Sequence, residues 1–155
     1  MLKYLNTDIV FREIPDEISL AINLTNCPFC CQGCHSPWLQ EDIGNELTEE
    51  ILSNLIEQSS GITCVLFLGG DSSYEDVKRY AQFVKSTGLK TAWYSGKTEV
   101  PTSDLVVFDY IKIGPYIESL GGLDKATTNQ RLFKVINSGQ ELQDITSEFQ
   151  KHLYK

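Results

Sequence analysis

From Ile18 to Leu24 the apolar residues Ile18, Leu20, Ile22 and Leu24 recur at every second position, with Ser19, Ala21 and Asn23 between them, which predicts a strand. The interleaved residues are small, so the second face of this strand suits a crowded interior or a bound ligand. Ile62-Thr63-Cys64-Val65-Leu66-Phe67-Leu68 is almost continuously apolar, the pattern of a strand buried on both faces of a parallel sheet. Leu89 to Tyr94 reads as a third strand and Leu105 to Ile113 as a fourth. Between them the period changes to that of helices. Thr48 can cap a helix whose first turn holds Glu49 and Glu50 and whose apolar stripe is Ile51, Leu52, Leu55 and Ile56. Ser73, with Asp76 three residues on, can cap a second with the stripe Val77, Tyr80, Ala81 and Val84, and Gly88 marks its stop. Leu142, Ile145, Phe149 and Leu153 predict a closing helix over 140–154. Alternating strands and helices imply an α/β fold on a parallel sheet with right-handed crossovers. No linker, repeat or low-complexity tract interrupts it, so residues 1–155 read as a single domain.

Ligands of such folds bind beyond the C-terminal ends of the strands. Three motifs fall there. Cys27-Pro-Phe-Cys30-Cys31-Gln-Gly-Cys34 follows the first strand, Gly69-Gly70-Asp71 the second, and Tyr94-Ser95-Gly96 ends the third. Their convergence on one rim is a stronger signal than any of them alone.

Cys27, Cys31 and Cys34 have the spacing C-x3-C-x2-C, with which three thiolates on one loop can each hold one iron of a four-iron, four-sulfur cluster and leave the fourth iron open. An open metal position is the mark of a reactive site. Other readings stand beside this one. Cys27/Cys30 and Cys31/Cys34 also form two CxxC pairs, as zinc sites do, although zinc ribbons separate their pairs by a dozen or more residues. Cys27-Pro-Phe-Cys30 has the form of a thiol–disulfide centre, which leaves Cys31 and Cys34 unexplained. Cys64 lies within an apolar strand and reads as packing. His35 can stack or hydrogen-bond near a cofactor; as the neighbour of Cys34 it is poorly placed to share the same metal. Gly69 and Gly70 can form a tight turn, or clear side chains so that backbone groups approach a ligand. Ser95 can offer its hydroxyl to a ribose or a carboxylate.

Composition narrows the field. The net charge is −8, which argues against a nucleic-acid partner. No apolar run reaches the length of a membrane span, and the N-terminus has no signal-peptide pattern. Clustered thiols without a secretory signal point to a reducing cytoplasm and to ligand cysteines.

Cys27-x3-Cys31-x2-Cys34 after one strand and Gly69-Gly70-Asp71 after the next resemble the radical S-adenosylmethionine superfamily. More narrowly, Cys31-Gln-Gly-Cys34-His35-Ser36-Pro37-Trp38, Gly122-Leu123-Asp124 and Thr128-Asn129-Gln130-Arg131 resemble the small activating proteins of anaerobic ribonucleoside-triphosphate reductases. The resemblance runs through most of the chain. It implies an incomplete, open α/β barrel. It also implies one [4Fe-4S] cluster on Cys27, Cys31 and Cys34, with no other catalytic side chain. S-adenosylmethionine would be the cosubstrate, lined by Gly33, Cys34, His35, Gly69, Gly70, Asp71 and Ser95. Reductive cleavage would give a 5′-deoxyadenosyl radical that takes hydrogen from a glycine of the reductase, leaving its glycyl radical. The implied partners are that reductase and a low-potential electron donor such as a flavodoxin, with neither nucleic acid nor membrane. A radical enzyme of a small molecule, or a non-catalytic zinc or thiol module, are the alternatives.

Overall fold

A computed structural model describes residues 1–29, 31, 33, 37–99 and 102–153 of the chain. The first expected strand forms as β2 (Ser19–Leu24), the second as β4 (Cys64–Leu68) and the third as β5 (Lys90–Tyr94). They pair parallel in the order β2-β4-β5, and β6 (Tyr110–Ile113) adds to β5 in the same sense.

The flanks of the sheet are different. β1 (Lys3–Val10) runs antiparallel to β2, and the two-residue β3 (Asn45–Glu46) antiparallel to β1. On the far side β7 (Arg131–Ile136) and β8 (Glu141–Asp144) extend the sheet from β6 as antiparallel neighbours. The result is an eight-stranded mixed sheet in the order β3-β1-β2-β4-β5-β6-β7-β8, with β3 and β8 at its two open edges. This overturns the expected incomplete α/β barrel on a parallel sheet. Closing a barrel would need the edge strands to pair with each other, whereas the antiparallel flanks end at β3 and β8. The link from β5 to β6 carries a 3-10 turn, Thr102–Val107, where a helix would sit. The α-helices among the described residues are short: α1 (Glu49–Glu57), α2 (Tyr74–Ser86) and α3 (Thr146–Leu153).

α1 starts where the sequence places it, with the Ile51 amide donating to Thr48 Oγ1 at 3.2 Å. α2 has Ser73 at its N-cap position, but that side chain makes no cap bond and its hydroxyl donates to the Met1 carbonyl at 3.4 Å. Both helices cover one face of the sheet. Leu52, Val77, Ala81 and Val84 meet Leu20, Ile22, Leu24, Val65, Phe67 and Trp93 there, all fully buried. The other face holds a second cluster, where Ala21, Leu66, Ala92 and Tyr110 are covered by Ile14, Leu123, Ile145 and Phe149. Alternation along each strand therefore feeds two cores, which is why β4 reads as continuously apolar. No helix among the described residues is long and apolar enough to cross a membrane.

At the N-terminal ends of the parallel strands, a buried carboxylate ties the second core together. Glu17 accepts from Thr63 Oγ1 at 2.7 Å, Lys90 Nζ at 2.8 Å and Tyr110 Oη at 2.9 Å. Burial by itself would raise its pKa; the Lys90, Thr63 and Tyr110 donors outweigh burial and hold it below the usual carboxylate range. A depressed carboxylate adds stability above its unfolded pKa and loses it as pH falls through the folded value, so the effect fades below about pH 4. Lys90 is raised by Glu17, so its share persists below its ordinary pKa and is lost only as pH climbs through the higher folded value. Glu17→Gln is expected to cost about 1–3 kcal/mol near pH 7, because Lys90 loses its charge partner and the buried Tyr110 hydroxyl a strong acceptor. Denaturant titrations at pH 7 and pH 3.5 check this: the gap between wild type and variant should shrink in acid, and a gap constant with pH would remove Glu17 as its source.

Candidate metal centre

The cysteine loop leaves β2 through a closed neck. The Thr25 amide donates to the Lys3 carbonyl at 3.0 Å, Asn26 N–H to Glu41 O at 2.9 Å and Cys27 N–H to Leu39 O at 3.0 Å. Thr25 Oγ1 adds a 2.6 Å bond to the Ile43 carbonyl. Asn26 turns the chain with φ 60°, a left-handed conformation that asparagine tolerates well. The entry and the exit of the loop are thus bonded to each other, and Cys27 starts from a fixed point on the rim. Within the loop the Cys31 amide donates to Phe29 O at 2.8 Å, and the Cys27 thiol lies 3.8 Å from the same carbonyl.

Beyond the C-terminal ends of β2, β4, β5 and β6 lies a cavity of about 180 Å³. Cys27, Phe29 and Cys31 form its wall from the loop, Leu24, Leu68 and Tyr94 from the strand ends, and Gly69, Asp71, Ser95 and Gly96 from the turns that follow β4 and β5. The three motifs that the sequence places on one rim therefore do meet around one space. Lys112, Gly114, Pro115, Tyr116 and Gln130 close the side towards β6 and β7.

Individual residues play varied parts. Gly69 lines the cavity, but its backbone is engaged: its amide donates to Tyr94 O at 3.0 Å, and its carbonyl accepts from Trp93 Nε1 at 2.7 Å. Gly70 is not a lining residue. It has φ +85°, and a Cβ there would stand 2.6 Å from Val77 Cγ2 and 2.8 Å from Leu24 Cδ1, so its side is filled by the first core. The Ser95 hydroxyl donates to Asp71 Oδ1 and accepts from the Lys97 amide at 3.0 Å, while Gly96 N–H donates to Asp71 Oδ2 at 3.2 Å. Its hydrogen is spent on Asp71. The pair therefore latches the turn after β4 to the turn after β5. Gly96 carries the latch to the cysteine loop, because a Cβ on it would lie 2.6 Å from Phe29 Cδ2. Gly33 is exposed, at φ +77°, with the Glu118 carboxylate packed over it. Cys30, Cys34 and His35 lie outside the described residues.

Sequence reasoning missed Lys112. Its ammonium donates to Ser95 O at 3.3 Å and Gly114 O at 3.1 Å and stands 5.7 Å from the centre of the Tyr94 ring. The available clue was parity: on β6, Lys112 shares a face with Tyr110, the face of the second core. Tyr116 had no comparable signal, because it arrives from the long connection between β6 and β7; Gln130, from the same connection, stood in the Thr128-Asn129-Gln130-Arg131 motif but without a role. Cys64 is fully buried in the second core, and burial pushes its thiol up to about 12. It is not a ligand in this fold.

The residues present fit an iron–sulfur centre on the chemistry of the donor set. Two part-exposed thiols, Cys27 and Cys31, stand on the wall of one cavity whose floor and sides are otherwise mostly apolar or backbone. No three metal-ligating side chains come together among the described residues; Cys34 is not one of them. A family model described as a 4Fe-4S single cluster domain matches residues 18–102, more than half of the chain, from β2 to the start of the 3-10 turn after β5. Neither a search of curated proteins nor one of solved structures returned a match.

Proposed function

The chain belongs to the 4Fe-4S single cluster domain family, and we propose on that footing that it is a radical S-adenosylmethionine activase of an anaerobic ribonucleoside-triphosphate reductase. The observation that carries this reading is the meeting of Cys27 and Cys31 with Gly69, Asp71 and Ser95 around one cavity. Cys27, Cys31 and Cys34 would hold the cluster. When bound, a cluster with one iron left open by the protein supplies the electron that splits the sulfonium of S-adenosylmethionine, releasing the 5′-deoxyadenosyl radical that takes hydrogen from a reductase glycine.

The chain's own residues supply position and surroundings. The neck at Thr25–Cys27 holds the cysteine loop against the strand ends. The Asp71–Ser95 latch sets the spacing of two rim turns and, through Gly96 and Phe29, the pose of the loop between them. Lys112 places a positive charge on the cavity wall, which favours an anionic group in a ligand. Leu24, Leu68 and Phe29 line the space with apolar surface, a setting in which polar contacts made with a ligand gain strength as water is displaced.

Electron paramagnetic resonance of the anaerobically reconstituted, reduced protein, with and without S-adenosylmethionine, tests the reading. The expected result is a reduced four-iron signal whose g values shift with the cosubstrate, followed by a glycyl radical when the reductase is added. A cluster signal indifferent to S-adenosylmethionine would leave an electron-transfer module in its place, and absence of any iron–sulfur signal would return the loop to zinc or thiol chemistry.

A further inference from the structure

The connection from β6 to β7, residues 114–130, carries no regular strand or helix, yet it forms one side of the cavity through Gly114, Pro115 and Tyr116. A connection of this length without secondary structure is uncommon in a compact fold and needs something to hold it. Four consecutive side chains at its far end do so. Thr127 Oγ1 donates to Leu120 O at 2.6 Å and Thr128 Oγ1 to Gly121 O at 3.1 Å. Asn129 Nδ2 donates to Pro115 O at 3.1 Å and Gln130 Nε2 to Gly114 O at 3.2 Å. Both ends of the segment 114–121 are thereby fixed by side-chain donors, where a hairpin would use backbone amides. Gly114 permits the close approach: it has φ +104°, and a Cβ there would come within 3.1 Å of the Gln130 backbone. At the tip of the segment Glu118 lies over Gly33 of the cysteine loop, so a shift of the segment is felt on both sides of the cavity.

We propose that Thr127-Thr128-Asn129-Gln130 is a cradle whose side chains position the segment 114–121 as the fitted wall of the cosubstrate site. In its reference to S-adenosylmethionine this rests on the function proposed above. These are positioning residues: Asn129 acts through Pro115 and Thr127 through Leu120. The segment binds ligand in one pose because four carbonyls are tied, and loosening a tie takes a donor from its carbonyl, although Gly114 O also accepts from Lys112 Nζ. Asn129→Asp is the sharpest test, since it keeps the shape, removes the donor and sets a carboxylate against the Pro115 carbonyl. Thr127→Val, at an exposed position, is the milder companion that keeps the fold in hand.

The experiment combines local amide hydrogen exchange on the reconstituted protein with S-adenosylmethionine titrated against its reduced-cluster signal. In Asn129→Asp the amides of Gly114, Leu120 and Gly121, which are bonded to Lys97 O, Ile117 O and Ile117 O, should exchange about tenfold faster. The dissociation constant for S-adenosylmethionine should rise by about tenfold with iron per chain unchanged, and Thr127→Val should follow in the same direction by about threefold. Unchanged exchange in both variants overturns the cradle. Faster exchange with unchanged S-adenosylmethionine binding overturns its link to the site. If wild type itself takes up no S-adenosylmethionine, the functional reading fails, and the exchange arm then decides the cradle by itself.

Discussion

Cys31→Ala should abolish iron binding, and Cys30→Ala should leave it intact. Two thiols of the C-x3-C-x2-C set, Cys27 and Cys31, stand on the cavity wall. A cluster held by three thiolates has no spare protein ligand, so loss of one removes a corner that nothing else on the loop is spaced to replace. Cys27 is fixed by its amide bond to Leu39 O, and Cys31 by its own to Phe29 O, whose ring rests on Gly96. Both thiols are thus held by backbone that the cluster need not organise. Iron content and visible absorbance of the anaerobically reconstituted variants check the expectation: near-zero iron for Cys31→Ala and for Cys27→Ala, and wild-type iron for Cys30→Ala. Cluster loss in the Cys30 variant alone would sink the ligand assignment. Zinc retained by all three variants would point to a different metal.

Gly70→Ala should destabilise the whole chain and leave the ligand chemistry of the folded fraction unchanged. A non-glycine residue at φ +85° costs roughly 1–2 kcal/mol in backbone strain. The new methyl would meet Val77 Cγ2 at 2.6 Å and Leu24 Cδ1 at 2.8 Å, both in the closely packed first core, and such overpacking costs roughly 1–3 kcal/mol more. The sum, about 2–5 kcal/mol, corresponds to a fall in melting temperature of roughly 10 °C for a chain of this size. Thermal unfolding followed by circular dichroism reads it, with iron per folded chain as the second number. A variant that melts like wild type and loses only S-adenosylmethionine binding would turn Gly70 back towards the ligand. The contrast with Gly69 is instructive: it is the neighbour that lines the cavity.

The approximate positions of β2, β4 and β5, and of α1 and α2, were legible because each has a period that a single packing surface explains. Alternation marks β2, and the apolar run marks β4 between two cores. The C-terminal stretch shows how that reasoning fails. Leu142, Ile145, Phe149 and Leu153 keep helical spacing, yet the chain forms β8 and only then α3. Leu142 packs against the first core, whereas Ile145 and Phe149 enter the second, so the spacing joins residues on opposite sides of the sheet. Asp144 sits at the junction, paired with Arg131 at 2.7 Å and accepting from the Thr146 amide at 2.9 Å. Leu105 and Val107 likewise look like strand but reach the first core from a 3-10 turn.

Local chemistry was enough to place three motifs at three strand ends, because a strand's direction fixes which end its following loop occupies, and parallel pairing then brings those ends to one rim. The rim follows from residue order and spacing, and the iron–sulfur chemistry that the spacing suggests agrees with the family of the chain. Long-range pairing is another matter. The antiparallel flanks of β1, β3, β7 and β8 turn an expected barrel into an open mixed sheet, and they depend on partners far apart in the chain, for which short windows carry no term. The same holds for Gly70 facing the core, Ser95 spending its hydrogen on Asp71, Lys112 on the cavity wall and the four donors of the 127–130 segment. Each is decided by which atoms lie across a few ångströms of space, and that is settled only when both cores have closed.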